Sequence, residues 1–324
     1  MSSGANTTLT HSDGSTGIPK SLFDYEVLDH IGDGAGSTIY VVSHPTTKQL
    51  YALKHVVRKT EKDDRFIEQL EAEYEVGSKV NSPGLRRSIE FKVNRTMLRR
   101  ATDAALILEL FDGVSLEAHI PRHLTDVVNA FIQTAQALHD LHHLGYVHCD
   151  LKPNNILRDS ATKKVKVIDL GQAAKIGTVK TRVQGTPDYM APEQVKCLPV
   201  TVKTDVFNFG ATMYFSLCGK KLPTLFTIKK GDNSFLVDSK IDSPRDLNPL
   251  IPEPLSNMVM ECVRTNPAKR PEDMADLTRR LEVIEHGLRR DAQKRAAAAA
   301  AAQQQRKPMP QPQPRPGAVA RAAV

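Results

Sequence analysis

The sequence has little that would suit an oxidising compartment. Its four cysteines, Cys149, Cys197, Cys218 and Cys262, lie far apart and form no C-x-x-C pair. This argues against a disulfide framework and for reduced thiols in a cytoplasmic setting. No run of about 18 apolar residues occurs, so no membrane span is expected within this chain. The first residues lack a charged start followed by an apolar stretch, which argues against a secretory leader. No internal repeat is apparent.

There is also little charge imbalance outside one end. The formal net charge is +7, yet eight Lys and Arg and a single acid, Asp291, fall in residues 287–324. The remainder is formally neutral, with as many acids as bases, so no nucleic-acid partner is expected. Residues 1–23 are rich in Ser, Thr and Gly and read as a disordered lead-in. Residues 288–324 are a basic, Ala/Gln/Pro-rich tail. Its alanine run can extend a helix, and its Pro-rich end reads as an extended linker.

Apolar residues make up 40 % of the chain, which allows a sizeable core. "YEVLDHIGDG", "STIYVVSH", "LYALKHVV" and "AALILELF" carry strand-like patterns. "DRFIEQLEAEYEVGSKV" reads as a helix that Gly77 weakens. From about Leu116 helices dominate. Val127, Val128, Phe131, Ala135, Leu138 and Leu141 recur at helical spacing before Gly145, and "KTDVFNFGATMYFSLCG" is apolar nearly all round, as a buried helix would be. The expected fold is α+β and two-lobed: a small β-rich lobe over residues 24–113 and a larger helical lobe over 114–287. The cleft between them would be the ligand site.

Three features could carry chemistry there. Gly32, Gly34 and Gly36 alternate between two strand-like runs, as in a plain hairpin or in a loop whose N–H groups approach an anion. Lys54 follows on the next strand, where a buried ammonium would need a carboxylate such as Glu73. "VHCDLKPNNIL" gathers Asp150, Lys152, Asn154 and Asn155 after a long helix. Asn155 and, further on, Asp169 offer hard oxygen ligands suited to Mg²⁺ with phosphates. Asp150 could accept a hydroxyl proton.

Taken in order, "GDGAGS", "YALK", "EYE", "HCDLKPNN", "DLG" and "APE" resemble the protein kinase family over roughly residues 24–287. "DLKPNN" and "GTPDYMAPE" resemble its serine/threonine branch, as found in bacteria. The resemblance implies ATP and Mg²⁺ as cofactors and a protein substrate with Ser or Thr acceptors. Asp150, Lys152 and Asn155 would form the catalytic set, with Asp150 as base and Lys152 contacting the γ-phosphate and Thr186 of the activation segment. Asn155 and Asp169 would hold the metal. Nucleotide would meet Ile31, Gly32, Gly34, Ala35, Gly36 and Ser37 of the loop. Ile39, Ala52 and Leu157 would sandwich adenine, Leu108 would guard the pocket behind, and the backbone of Glu109 and Phe111 would form the hinge. Lys54 would hold the α- and β-phosphates, oriented by Glu73, with Glu71 and Glu75 as rivals. Glu193 would pair with Arg270, and Asp205 would anchor the catalytic loop.

The sequence departs from the family pattern in four places. Ser37 replaces the third glycine, so the loop tip should be more flexible and lack a bulky lid. Leu170 replaces the Phe of Asp-Phe-Gly, a mild change. Gly77 stands where the family puts an apolar residue behind Leu170 and His148. A gap there predicts a loosely held helix, which a homodimer contact or a neighbouring side chain would settle. Cys149 replaces the arginine that would bind a phosphate on the activation segment, so activity should not require phosphorylation of Thr178 or Thr181. His139, His142 and His143 read as a solvated helix end rather than a metal site. The rival reading is a pseudokinase-like, nucleotide-binding signalling module; the presence of Lys54, Asp150, Asn155 and Asp169 stands against it.

Overall fold

The structure, a computed structural model, describes residues 18–34, 36–224, 226–227 and 241–305. Ala35 therefore lies outside the described residues, as do most of the lead-in and the Pro-rich end.

The first lobe is built on one antiparallel sheet. Its strands are β1 (Ser21–Leu22), β2 (Tyr25–Gly34), β3 (Ser37–Ser43), β4 (Leu50–Val57), β5 (Ser88–Arg95) and β6 (Ala101–Glu109), in the spatial order β1-β2-β3-β4-β6-β5. The central strand β4 shows why this sequence makes a two-sided sheet. Side chains alternate between faces along a strand. Ala52 and Val56 join Leu106, Leu108, Ile67 and Leu70 in one apolar cluster. Leu53 joins Leu22, Tyr25, Val42 and Ile107 in another on the opposite face. Lys54 shares the parity of Ala52 and Val56 and so emerges on the face covered by α1 (Asp64–Gly77). That alternation sends a lysine into the molecule rather than into water.

Helix α1 buries Ile67, Leu70, Glu73 and Val76 against this face and stops at Gly77, short of the continuation to Val80 that its pattern suggested. A parallel bridge between Leu85 and Val167 leads the chain past the second lobe into β5.

The second lobe opens with β7 (Val114–Ser115) and α2 (Leu124–His143). It continues through β8 (Tyr146–Val147), β9 (Ile156–Arg158), β10 (Val165–Val167) and β11 (Ala174–Lys175), which form small antiparallel ladders around the loops of the cleft. Next come the short α3 (Pro192–Val195), the buried α4 (Val202–Cys218), then α5 (Pro244–Leu247), α6 (Glu253–Cys262) and α7 (Met274–Gln305). The rings of Phe131 on α2 and Phe209 on α4 meet edge-on at 5.2 Å in the largest apolar cluster. Thr201 caps α4 through its side chain, and Gly219 ends the helix in a left-handed conformation.

Two boundaries differ from the sequence reading. Strand β1 begins before residue 24, because Leu22 has a place under the sheet. Helix α7 runs unbroken through residue 288 and the alanines, because Met274, Leu277 and Leu281 anchor it in the core and nothing after them breaks a helix before its end. Among the described residues no helix is long and apolar enough to cross a membrane.

Candidate active site

The loop that carries Asp150 is held from below by one buried carboxylate. Asp205, on the first turn of α4, accepts the His148 N–H through Oδ2 at 2.7 Å and the Cys149 N–H through Oδ1 at 2.9 Å. His142 on α2 reaches the same Oδ2 through Nε2 at 2.8 Å. Burial pushes the Asp205 carboxyl up, but the hydrogen bonds and charges around it, led by His142, hold it below the ordinary carboxylate range. The expected solvated helix end therefore describes His139 and His143, whose Nε2 atoms meet at 2.9 Å near the surface, but not His142. His142 lies about three turns after Phe131, on the face of α2 that meets α4, and there a buried acid requires a partner.

Cys149 turns the loop with φ 64° and is buried against Val147 and Val200. Burial pushes its thiol far above the usual cysteine range, so it stays protonated and inert. Its carbonyl accepts a hydrogen bond from Gln194 Nε2 at 2.7 Å. Gln194 also takes the Ala191 N–H and the Asn208 amide, which ties the catalytic loop to "APEQ". The sequence reading missed Gln194, since a glutamine after Ala-Pro-Glu looks like any helical polar residue.

Beyond Cys149 the functional groups converge. The Asp150 N–H donates to His148 Nδ1 at 3.2 Å, which leaves His148 Nε2 as the donor to the Ile168 carbonyl at 3.2 Å. Asp150 Oδ1 accepts from both the backbone N–H and the Oγ1 of Thr186, each at 2.8 Å. Lys152 Nζ donates to Asp150 Oδ2 at 3.1 Å and to Thr186 Oγ1 at 2.8 Å. Asn155 uses its amide nitrogen on the Asp150 carbonyl at 2.9 Å, so only its Oδ1 remains for a cation. Asp169 stands in a left-handed conformation, φ 65°, after β10.

From the first lobe, Lys54 Nζ donates to Glu73 Oε2 at 2.7 Å and to Asp169 Oδ1 at 3.1 Å. Glu71 is exposed and Glu75 pairs with Lys79, so neither rival reaches Lys54. Burial disfavours the Lys54 charge, but Asp169 and Glu73 outweigh it and raise the ammonium above its usual range. Burial likewise opposes the Asp169 charge, and Lys54 nevertheless pulls that carboxyl well below the carboxylate range.

These groups face one cavity of about 590 Å³, whose wall includes Gly34, Ser37, Ile39, Lys54, Asp150, Lys152, Asn155, Asp169 and Thr186. Ile31, Gly32, Ala52, Glu109, Phe111 and Leu157 do not line it. Ile31 is half exposed on β2, while Ala52 and Leu108 are buried beneath the sheet face. The Glu109 carboxylate pairs with Lys166 Nζ at 2.7 Å, and the Phe111 ring packs beside Gly113. Leu157 lies on β9, paired with Ser115.

Two expectations about departures are corrected. The loop tip does not lack an aromatic neighbour: Gly36, with φ +84°, lies so close to the Phe66 ring of α1 that a Cβ would come within 2.7 Å of it. The bulk comes from the helix rather than from the loop. Gly77 leaves no gap either, because a Cβ there would lie 2.2 Å from Ser88 Oγ. Ser88 in turn donates to the Glu73 carbonyl at 3.3 Å, so the helix end is pinned to β5 by close approach.

The activation segment, residues 169–193, lies wholly among the described residues. Lys180 Nζ donates to the Gln172 carbonyl at 2.6 Å, and Gly177 and Thr178 exchange backbone bonds with Val200. Glu193 and Arg270 form a forked pair at 2.7 and 3.0 Å, as expected of a structural contact.

Comparison with known proteins agrees with this geometry. The family described as protein kinase domain matches residues 25–304. A probable serine/threonine-protein kinase of Clostridium acetobutylicum is 22% identical over 282 residues, covering 83% of this chain and 41% of the relative. Serine/threonine-protein kinase PrkC of Bacillus subtilis is 25% identical over 264 residues, 78% of this chain and 39% of that protein. Myosin light chain kinase A of Dictyostelium discoideum is 31% identical over 199 residues, 60% of this chain and 66% of that protein. The chain thus spans about two fifths of the length of these two bacterial relatives.

Proposed function

The chain belongs to the protein kinase family, and from that premise we propose that it transfers the γ-phosphoryl of Mg·ATP to Ser or Thr hydroxyls of protein substrates. The observation that carries this reading is the meeting of Asp150 with Lys54, Asn155 and Asp169 on one cavity wall. A carboxylate oxygen already bound to a threonine hydroxyl, Asp150 to Thr186, is placed to orient an incoming hydroxyl and take its proton.

The donor chemistry fits magnesium: Asn155 Oδ1 and the Asp169 carboxylate are hard oxygens on the same wall. When bound, the cation neutralises charge building between the phosphates. Lys54 would hold the α- and β-phosphates, with Glu73 keeping its ammonium in place. Lys152 would sit between Asp150 and the moving phosphoryl group. Little bond-making falls to the protein, and positioning with charge stabilisation does most of the catalysis. The Ser/Thr acceptor class rests on the "DLKPNN" and "GTPDYMAPE" stretches and on the relatives, and the protein substrate itself would be met beside Thr186.

Incubation with labelled ATP, Mg²⁺ and a generic protein acceptor, followed by identification of the labelled amino acid, tests the reading. Label should appear on Ser and Thr, and Asp150→Asn should lower the rate about 10²–10⁴-fold, the worth of a positioned base. Transfer unchanged in Asp150→Asn, or none in the wild type, would contradict it.

A further inference from the structure

The hairpin between β5 and β6 ends in a tip that the cleft does not use. Residues 96–100 read "TMLRR", and none of them lines the cavity. Met97 is fully exposed and Leu98 is 83% exposed. Leu250 is as bare, but a lone exposed leucine is ordinary on a protein surface, whereas two large apolar residues side by side at a projecting tip are not.

The tip is held in shape by its own bonds. The Thr96 N–H donates to the Arg100 carbonyl and the Arg99 N–H to the Thr96 carbonyl, both at 2.8 Å. Thr96 Oγ1 accepts the Arg100 N–H at 3.3 Å, and Arg95 Nη1 donates to the Arg99 carbonyl at 3.3 Å. Arg99 completes the turn with φ 60°, where glycine or asparagine would be the easier choice. Turn chemistry favours small polar residues at such a place, not methionine and leucine.

Charge is as uneven here as polarity. From Phe91 to Thr102 the chain carries Lys92, Arg95, Arg99 and Arg100 and no acid. The acids that flank this run in the chain are engaged: Glu90 pairs with Lys92, and the buried Asp103 is bonded to His55, Asn94 and Thr102. Asp64, which feels the charge of Arg100, is paired with Arg58. Arg95, Arg99 and Arg100 therefore stand exposed around two apolar side chains.

The occupant follows from size and charge. A stable protein partner needs about 800 Å² on each side, and two side chains at a tip offer far less. A nucleic acid would use the arginines and leave Met97 and Leu98 in water. A bilayer with anionic headgroups uses both, because apolar side chains enter the boundary beneath the headgroups while guanidinium groups fork onto phosphate. We propose that the β5–β6 tip docks the first lobe on an anionic lipid surface, with Met97 and Leu98 inserted and Arg95, Arg99 and Arg100 on lipid phosphates. A contact of this size is reversible, and it orients the lobe while the cleft stays free.

The chain has no tryptophan, so Leu98→Trp in the full chain places a single fluorescent reporter at the tip. It is titrated with vesicles of phosphatidylcholine alone and of phosphatidylcholine and phosphatidylglycerol in equal parts. On the mixed vesicles the emission should shift to the blue and be quenched by brominated acyl chains. On phosphatidylcholine alone it should do neither. Arg99→Gln with Arg100→Gln in the reporter chain should weaken binding about 25-fold, from about fivefold per arginine at such a surface. Met97→Ser should weaken it about tenfold, the worth of one apolar side chain leaving water. The basic end of the chain can hold anionic vesicles by itself, so the reporter decides and not sedimentation. Vesicles that carry the protein down while the reporter stays unshifted would overturn the proposal. So would an equal shift on phosphatidylcholine alone, or a shift that grows with protein concentration without vesicles, which marks a second copy as the occupant. Nucleotide is absent throughout, so the outcome stands apart from the reading of the cleft.

Discussion

Two buried arginines face glutamates in this molecule, one in each lobe, and they are bonded very differently. Arg270 makes a forked pair with Glu193 and spends its other N–H groups on the carbonyls of Arg264, Lys203 and Thr265. Its guanidinium also lies over the Phe207 ring at 5.0 Å. Thr204 Oγ1 adds a bond to Glu193 Oε1 at 3.0 Å. Among the described residues Arg86 Nε has no hydrogen-bond partner, Nη2 stands 3.8 Å from Glu73 Oε1, and the side chain faces a cavity. Arg158 shares the orphan N–H groups but not the cavity. A charge pair whose guanidinium has spent every N–H is suited to holding a fold together. A pair left incomplete beside a cavity has room for a ligand to rearrange it. The first lobe leaves its arginine open, and the second closes its own.

Breaking the closed pair should have the largest effect on folding. Arg270→Met leaves the buried Glu193 carboxylate without its partner and should cost about 3–5 kcal/mol in denaturant unfolding, as removal of one member of a buried pair does. Glu193→Gln in the same chain should recover part of that loss. An Arg270→Met protein as stable as the wild type would erase the distinction drawn between the two arginines.

A smaller effect is expected from adding a methyl group beside the open pair. Gly77→Ala improves helix propensity by about 1 kcal/mol but drives a Cβ into Ser88, and overpacking of this kind costs about 1–3 kcal/mol. The net change should be a modest destabilisation that Ser88→Gly in the same chain reverses. Stabilisation by Gly77→Ala alone would mean that the approach of α1 and β5 is looser than the geometry indicates.

The smallest effect should come from the segment between the two regions. Cys149 offers no cation to a phosphate, while the Lys180 ammonium and the Val200 backbone already bond to main-chain groups of the activation segment. Thr178→Ala with Thr181→Ala should leave the transfer rate within about twofold, since a lost surface hydroxyl changes little. A loss of a hundredfold would show that a phosphate completes this segment after all.

The candidate site was largely legible in the sequence. Lys54, Asp150, Asn155 and Asp169 are short-range signals: a strand parity, a run of polar residues in a loop, an acid at the end of an apolar strand; Thr186 came only with the resemblance. The structure brings all five to one cavity wall. Gly77 was misread, because a missing side chain in a sequence looks like a void until the neighbour that fills it is known. Ser88 is eleven residues further on and reaches it only through the turn from α1 into β5. His142 was misread for a similar reason, since nothing local shows that α4 brings a buried acid against that face of α2.

Sequence alone thus determined the order of elements, the apolar faces and the candidate site residues, because periodicity and loop chemistry act over a few residues. Only the tertiary structure decided which glutamate meets Lys54, what stands against Gly36 and Gly77, and that Arg86, one of two arginines in an ordinary-looking "LRRS", turns inward. Those outcomes depend on contacts between segments distant in the chain, where burial makes each unpaired charge and each added carbon costly.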